Sequence, residues 1–277
     1  MVRDLIRHAK NNLANAGYPE VDAEILFAHL LGINRMELHN PIALENAMEN
    51  IGDIAEDYHQ LVNRRLSHEP LQYITGEAHF RELTLEVGPG VLVPRPESEL
   101  MVSYLLALIE QKTGMVSVID LGAGSGALSI SLSTECDRVR AIAVEKSPEA
   151  LVWLRKNVAR YVEEMRVVES DVIDALPGVK ADYVIANPPY VPNDQELPAD
   201  VQKEPSFALF GGVTGLEVPN QFIQAAARLL KPGGVLAIEH TELQGQAISG
   251  LLEEMFTHIE LHYDLNDRPR WTSAVRK

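Results

Sequence analysis

The chain has one cysteine, Cys136, in 277 residues. A single thiol excludes an internal disulfide and a metal site built on several cysteines, and it fits a reducing cytosol. Cys136 closes Ser131-Leu132-Ser133-Thr134-Glu135-Cys136 with no histidine near it in sequence, so it reads as structural rather than nucleophilic. Basic residues are also scarce, 24 against 40 acidic ones, for a net charge of −16. A surface that tracks a nucleic-acid backbone needs a basic face, so direct nucleic-acid binding is not expected, and the acidity is read as solubility. Long apolar runs are missing too. Residues Met1 to His8 lack the core of a signal peptide, and Leu105-Leu106-Ala107-Leu108-Ile109 is far too short to span a bilayer. His8, His29, His39, His59 and His68 are scattered, without the i, i+4 partner and carboxylate of a zinc helix. No metal, no membrane and a cytoplasmic location are the expectations.

What is present is ample material for a core, with hydrophobic residues at 46%. Up to about residue 75 the apolar positions recur at helical spacing: Leu5, Ile6, Ala9, Leu13 and Ala16, then Ile25, Leu26, Ala28 and Leu30, then Tyr58, Leu61, Val62 and Leu66. Helices without intervening strands imply a small bundle. From Phe80 to Val87 apolar and polar residues alternate, and Gly88-Pro89-Gly90 leads into Val91-Leu92-Val93, which predicts a hairpin. Ser98 or Pro96 can start the helix that follows, and Arg95, held between two prolines, is a candidate for the mouth of a site. Beyond Val116, strands and helices alternate, and the chain ends in a strand pair too close for a helix between them. The expected fold is α/β, a doubly wound, seven-stranded, mostly parallel sheet with one antiparallel strand. The expected divisions are 1–77 (helical), 78–96 (hairpin linker) and 97–277 (α/β).

Two loops carry the chemistry. Asp120-Leu121-Gly122-Ala123-Gly124-Ser125-Gly126-Ala127 joins a strand to a helix, where glycines permit a tight turn and close approach to a ligand. About twenty residues on, Glu145 ends the next strand, where an acid can hold ribose hydroxyls. This much fits either NAD or S-adenosylmethionine. Asn187-Pro188-Pro189-Tyr190 ends the apolar strand Ala181 to Ala186. Two prolines cannot extend a central strand, so they form a stiff loop at its carboxyl end, where ligands bind in open α/β sheets. An amide side chain, the Pro188 carbonyl and an aromatic ring can grip a planar NH2 group there. A hydride-transfer site needs no such loop.

The glycine loop, with Asp120 immediately before it, resembles the cofactor loop of class I S-adenosylmethionine methyltransferases, and Asn187-Pro188-Pro189-Tyr190 resembles the motif of those that methylate planar NH2 nitrogens. Glu69-Pro70-Leu71-Gln72-Tyr73-Ile74-Thr75-Gly76, Pro89 to Glu99, and Glu204-Pro205-x-x-Ala208-Leu209-x-Gly211-Gly212-x-x-Gly215-Leu216 narrow this. Together they resemble the PrmC/HemK family of protein-glutamine N5-methyltransferases. Glu145 stands where that family commonly has Asp, Ser98 where Thr is frequent, and Val172 where some members have an aromatic. The resemblance implies S-adenosylmethionine as cofactor, held by Asp120, Gly122, Ala123, Gly124, Ser125, Gly126, Glu145, Asp171, Val172 and Asn187. It implies class I peptide-chain release factors as partners, methylated on the glutamine of Gly-Gly-Gln, with the N-terminal bundle recognising them. Asn187, Pro188 and Tyr190 would be catalytic, and Pro189 and Arg95 would join them in binding the substrate. A monomer is expected. The competing readings are an adenine-N6 nucleic-acid methyltransferase and a non-catalytic cofactor-binding scaffold.

Overall fold

The structure is a computed structural model and describes residues 2–48 and 54–277. The chain divides into a helical unit, residues 1–76 with 198–203, and an α/β unit, residues 77–197 with 204–277.

The helical unit contains α1 (Val2–Asn15), α2 (Val21–Leu31), α3 (Pro41–Met48), α4 (Ile54–Leu66) and α5 (Leu71–Thr75). Its core takes in predicted apolar positions, with Leu13, Leu26 and Tyr58 fully buried, and also Phe27, which the helical spacing did not single out. The Tyr58 hydroxyl donates to the Ala23 carbonyl at 2.8 Å, so the ring can be buried without an unpaired polar atom. Buried Arg65 donates to Asp22 at 2.9 Å and to Asp200 at 3.3 Å, and its guanidinium lies 3.7 Å from the centroid of the Tyr18 ring. The segment 198–203 thus belongs to this unit through a charged anchor.

The α/β unit opens with an antiparallel hairpin, β1 (Glu77–Phe80) and β2 (Leu83–Glu86). Here the structure departs from the reading of Gly88-Pro89-Gly90 as the turn. The turn is at Arg81-Glu82, and Val91 to Val93 form no strand. Arg81 takes φ 50°, held by its N–H on Glu99 (2.9 Å) and its guanidinium on Glu135 (2.6 Å). The glycines serve packing instead. A Cβ at Gly88 would lie 2.4 Å from the Trp153 ring, and Trp153 Nε1 donates to the Pro89 carbonyl at 3.1 Å.

There follow α6 (Glu99–Glu110), β3 (Val116–Leu121), α7 (Ala127–Glu135), β4 (Val139–Glu145), α8 (Pro148–Tyr161), β5 (Arg166–Glu169), β6 (Ala181–Ala186), β7 (Val191–Pro192), α9 (Ser206–Leu209), β8 (Phe210–Gly212), α10 (Glu217–Leu229), β9 (Leu230–Glu239), α11 (Gly245–Leu252), β10 (Phe256–Tyr263) and β11 (Pro269–Arg276). Seven strands form one sheet in the order β10-β11-β9-β6-β3-β4-β5, and β11 runs against both of its neighbours. The buried strands read as continuous apolar runs because helices cover both faces. β4 and β5 lie to one side of β3, and β6 and β9 to the other, so the order reverses between β3 and β6. A crevice opens at the carboxyl edge of such a switch point.

Candidate active site

Strand register places the functional residues. Leu121 pairs with Val144 and with Ala186, and Ala186 pairs with Ile238. The residues that follow along this edge are therefore Glu145, Gly122, Asn187 and Glu239, one from each of four adjacent parallel strands. Above them lies a cleft enclosing about 1030 Å³, part of it open to solvent. That is at the upper end of the roughly 300–1,000 Å³ usual for small-molecule sites.

On one side of the switch point the cleft is shaped by backbone. Gly122, Gly124 and Gly126 have φ of 70°, 57° and 88°, in the left-handed region that side chains disfavour. A Cβ at Gly122 would stand 3.0 Å from the Phe222 ring. Glu145 closes the loop: one oxygen accepts from Gly124 N (2.9 Å), the other from Lys146 N and Ser147 N (2.8 Å each). A carboxylate offers about four acceptor sites, so room remains for one further donor. Asp120 is fully buried. Its Oδ2 accepts from Ser129 N at 3.1 Å, while Oδ1 has no partner among the described residues. Burial, aided by the charge of Glu145 and opposed by the Ser129 hydrogen bonds, pushes the Asp120 carboxyl up to about 7. An orphaned carboxylate oxygen beneath a glycine cradle, with a second acid at its rim, fits a ligand that carries an ammonium group and a ribose. Val172, buried after β5, supplies an apolar wall.

On the other side the site is built from side chains. Asn187 Nδ2 donates to Ser98 Oγ at 3.3 Å, and the Ser98 hydroxyl donates in turn to Glu239 Oε2. The Tyr190 hydroxyl donates to Glu239 Oε1 at 3.1 Å. Burial raises the Glu239 carboxyl to about 7; the bonds from Ser98 and Tyr190 pull the other way. Burial and then the charge of Glu239 raise the Tyr190 phenol well above its ordinary value. Gln244 Nε2 donates to the Tyr190 carbonyl at 2.9 Å. The glycines of Gly211-Gly212-x-x-Gly215 are explained by the same loop: a Cβ at Gly211 would lie 2.6 Å from the Pro189 carbonyl oxygen, and one at Gly215 2.3 Å from that of Tyr190. Arg95 pairs with Glu204 at 2.5 Å, and Glu204 also accepts from Val93 N at 2.9 Å.

Of the residues singled out from sequence, Arg95, Gly122, Ala123, Gly124, Ser125, Glu145, Asp171, Val172, Asn187 and Pro189 line the cleft. Asp120, Gly126, Pro188 and Tyr190 do not. Gly126 instead makes room for Ile130 and Leu154, each of which a Cβ would meet at 2.8 Å. Ser98, one of the two residues expected to start the helix, stands at its N-cap position, but its side chain makes no capping bond and belongs to the Asn187 network. Sequence reasoning passed over Glu239, Phe222, Gln221 and Phe207. The available signal for Glu239 was the one that found Glu145, an acid closing an apolar strand.

This sheet and its paired loops define a class I methyltransferase fold. The Thermus thermophilus 16S rRNA N2 G1207 methyltransferase, solved with AdoMet and guanosine, shares it at TM-score 0.53 and 22% identity, over 73% of this chain and 50% of that one. Residues 4–76 match the family described as the PrmC N-terminal domain, and residues 97–204 the methyltransferase small domain. The chain is 38% identical to the release factor glutamine methyltransferase of Streptomyces coelicolor, over 97% of its own length and 96% of the relative's. It is 36% identical to that of Bifidobacterium longum, over 99% of each. The chain belongs to the release factor glutamine methyltransferase family.

Proposed function

We propose that this protein transfers a methyl group from S-adenosylmethionine to the side-chain amide nitrogen of the glutamine in the Gly-Gly-Gln motif of class I peptide-chain release factors. The observation that carries the reading is the position of Asn187. It stands at the end of β6, one strand from the glycine loop, with Nδ2 committed to Ser98 and Oδ1 accepting no bond from any described residue.

S-adenosylmethionine supplies an activated methyl on a sulfonium. The Gly122 to Ser125 loop, Glu145, Asp171 and Val172 would hold it, and buried Asp120 would act on it from beneath the loop. The protein's task is then the acceptor, because an amide nitrogen has its lone pair delocalised into the carbonyl. Asn187 Oδ1 would accept one N–H of the acceptor from the cleft wall and the Pro188 carbonyl the other once the substrate seats against the loop, which would hold the nitrogen and oppose the positive charge that grows on it. No strong base is required, since the proton becomes acidic once nitrogen is alkylated. Tyr190 acts from below the loop, where Glu239 holds its hydroxyl, and Pro189 and Arg95 border the entrance. The helical unit recognises the release factor, which suits an acidic chain acting as a monomer in the cytoplasm, without direct nucleic-acid contact. Among the described residues no helix is long and apolar enough to cross a membrane.

The test is incubation with methyl-labelled cofactor and, in parallel, a release factor or duplex DNA. Label is expected on the release factor alone. Label on adenine, or on neither, contradicts the proposal.

A further inference from the structure

We infer that Glu239, acting through Ser98, is the positioning residue that fixes which way round the Asn187 amide sits, so that Oδ1 rather than Nδ2 faces the acceptor. The inference rests on the function proposed above and adds a specific cause for the orientation on which it depends.

Proton counting fixes the direction of each bond in the network. A serine hydroxyl has one proton and two lone pairs. The Ser98 proton goes to Glu239 Oε2, so only lone pairs remain for Asn187. Lone pairs can be met only by N–H, and Nδ2 is accordingly the atom 3.3 Å away. The ends of an amide side chain are nearly equal in shape, and the hydrogen-bond network decides between them. With Nδ2 turned inward, Oδ1 is left for an NH2 group. The second oxygen of Glu239 accepts from Tyr190, three residues along the same loop. One buried carboxylate thus anchors both ends of Asn187-Pro188-Pro189-Tyr190.

Protonation of Glu239 undoes this arrangement. The carboxyl becomes a donor, Ser98 turns its own proton toward Asn187, and the amide is favoured the other way round. Two N–H groups would then face the substrate NH2. The groups that face Glu239 are Ser98 and Tyr190, which donate to it, Glu97, which raises its proton affinity, and Arg270 on β11, which lowers it. The Arg270 guanidinium is engaged with Asp264 at 2.8 Å. Burial dominates and brings the proton on near pH 7. The maximal rate at saturating cofactor should therefore fall as pH drops below about 7. Asp120 titrates in the same range, but its protonation acts on cofactor affinity, which saturation removes.

The experiment measures kcat at saturating cofactor on both sides of pH 7, with the cofactor Kd by calorimetry, for wild type, Ser98→Ala, Ser98→Thr and Glu239→Gln. Ser98→Ala is expected to lose about 10–100-fold in kcat, the usual effect of a supporting hydrogen bond. Its Kd should stay unchanged and its acid limb should vanish. Ser98→Thr, which keeps the hydroxyl, should rescue both limb and rate. Glu239→Gln should also be flat with pH; should it fail to fold, the Ser98 pair decides. Wild-type kcat in Ser98→Ala, or a loss with the acid limb intact, overturns the inference. A wild-type protein that methylates no release factor overturns the function proposed above instead, so the two failures are distinguishable.

Discussion

The ends of β3 and β6 are neighbours in one sheet, yet they are built by opposite means. Beyond β3 the cleft is made of backbone: Gly122 and Gly124 at positive φ, braced by the Glu145 carboxylate at the end of β4, which accepts from three main-chain N–H groups. Beyond β6 it is made of side chains brought together across long stretches of sequence, Ser98 with Asn187 and both Ser98 and Tyr190 with Glu239. The first kind of construction shapes a cavity and confers affinity. The second orients a reacting group and should be felt in rate. Substitutions at the two strand ends should therefore separate into cofactor binding and turnover.

The largest effect is expected at Asn187. Asn187→Ala removes one acceptor from the NH2 group, a loss of about 10²–10³ in kcat. Its cofactor affinity should change less than about threefold, as a site that only orients the acceptor requires. Steady-state kinetics with calorimetry measures both, and a comparable loss of affinity would break the comparison.

Next is Gly215, which shapes the acceptor loop through backbone contact. Gly215→Ala places a Cβ 2.3 Å from the Tyr190 carbonyl oxygen at φ 75°, so the loop must move. A destabilisation of about 1–3 kcal/mol is expected, read from denaturant unfolding, together with a lower kcat.

Asp120 gives a smaller effect that depends on pH. Its folded-state pKa is raised to about 7 from 3.8, so the folded protein holds the proton more tightly than the unfolded chain. That contribution to stability is full below the unfolded value and is lost as pH rises through about 7. Asp120→Asn should therefore be more stable than the cofactor-free wild type above that pH, by on the order of 1–3 kcal/mol, while binding cofactor more weakly. Thermal unfolding across pH reads the first effect and calorimetry the second. An unchanged Tm difference between acid and alkaline pH would show that the burial of Asp120 has no energetic consequence.

Gly124 should be mildest in stability. A Cβ there meets only Val91, at 3.9 Å, so Gly124→Ala carries the positive-φ penalty alone, about 1 kcal/mol. Its effect should appear in cofactor Kd rather than in kcat.

The same contrast explains what could be read in the sequence. The glycine loop and the prolyl loop are contiguous, and each residue type there has a local reason. Strand and helix succession gave the sheet, because apolar runs and helical spacing are local too. The hairpin turn was misplaced because Gly88 and Gly90 resemble turn residues, whereas Arg81 is bent by Glu99 and Glu135 from elsewhere in the chain. Ser98 is legible as one of two residues that can start α6, a position it does hold, but its side chain's role is not. A serine before a helix has an obvious local use, whereas the partners of its side chain, Glu239 and Asn187, lie 141 and 89 residues away. Arg95 was noticed for its odd setting, but its partner Glu204 is fixed only by the fold.

On the function proposed above, the loop after β6 presents a release-factor glutamine amide to the methyl donor. The most direct measurement is peptide mass spectrometry of a release factor co-expressed with either the wild-type protein or the Asn187→Ala variant. With wild type, the Gly-Gly-Gln peptide should be heavier by one CH2, localised to the glutamine side chain, and with the variant it should be almost unmodified. An unmodified glutamine with wild type, or equal modification with both, would contradict it.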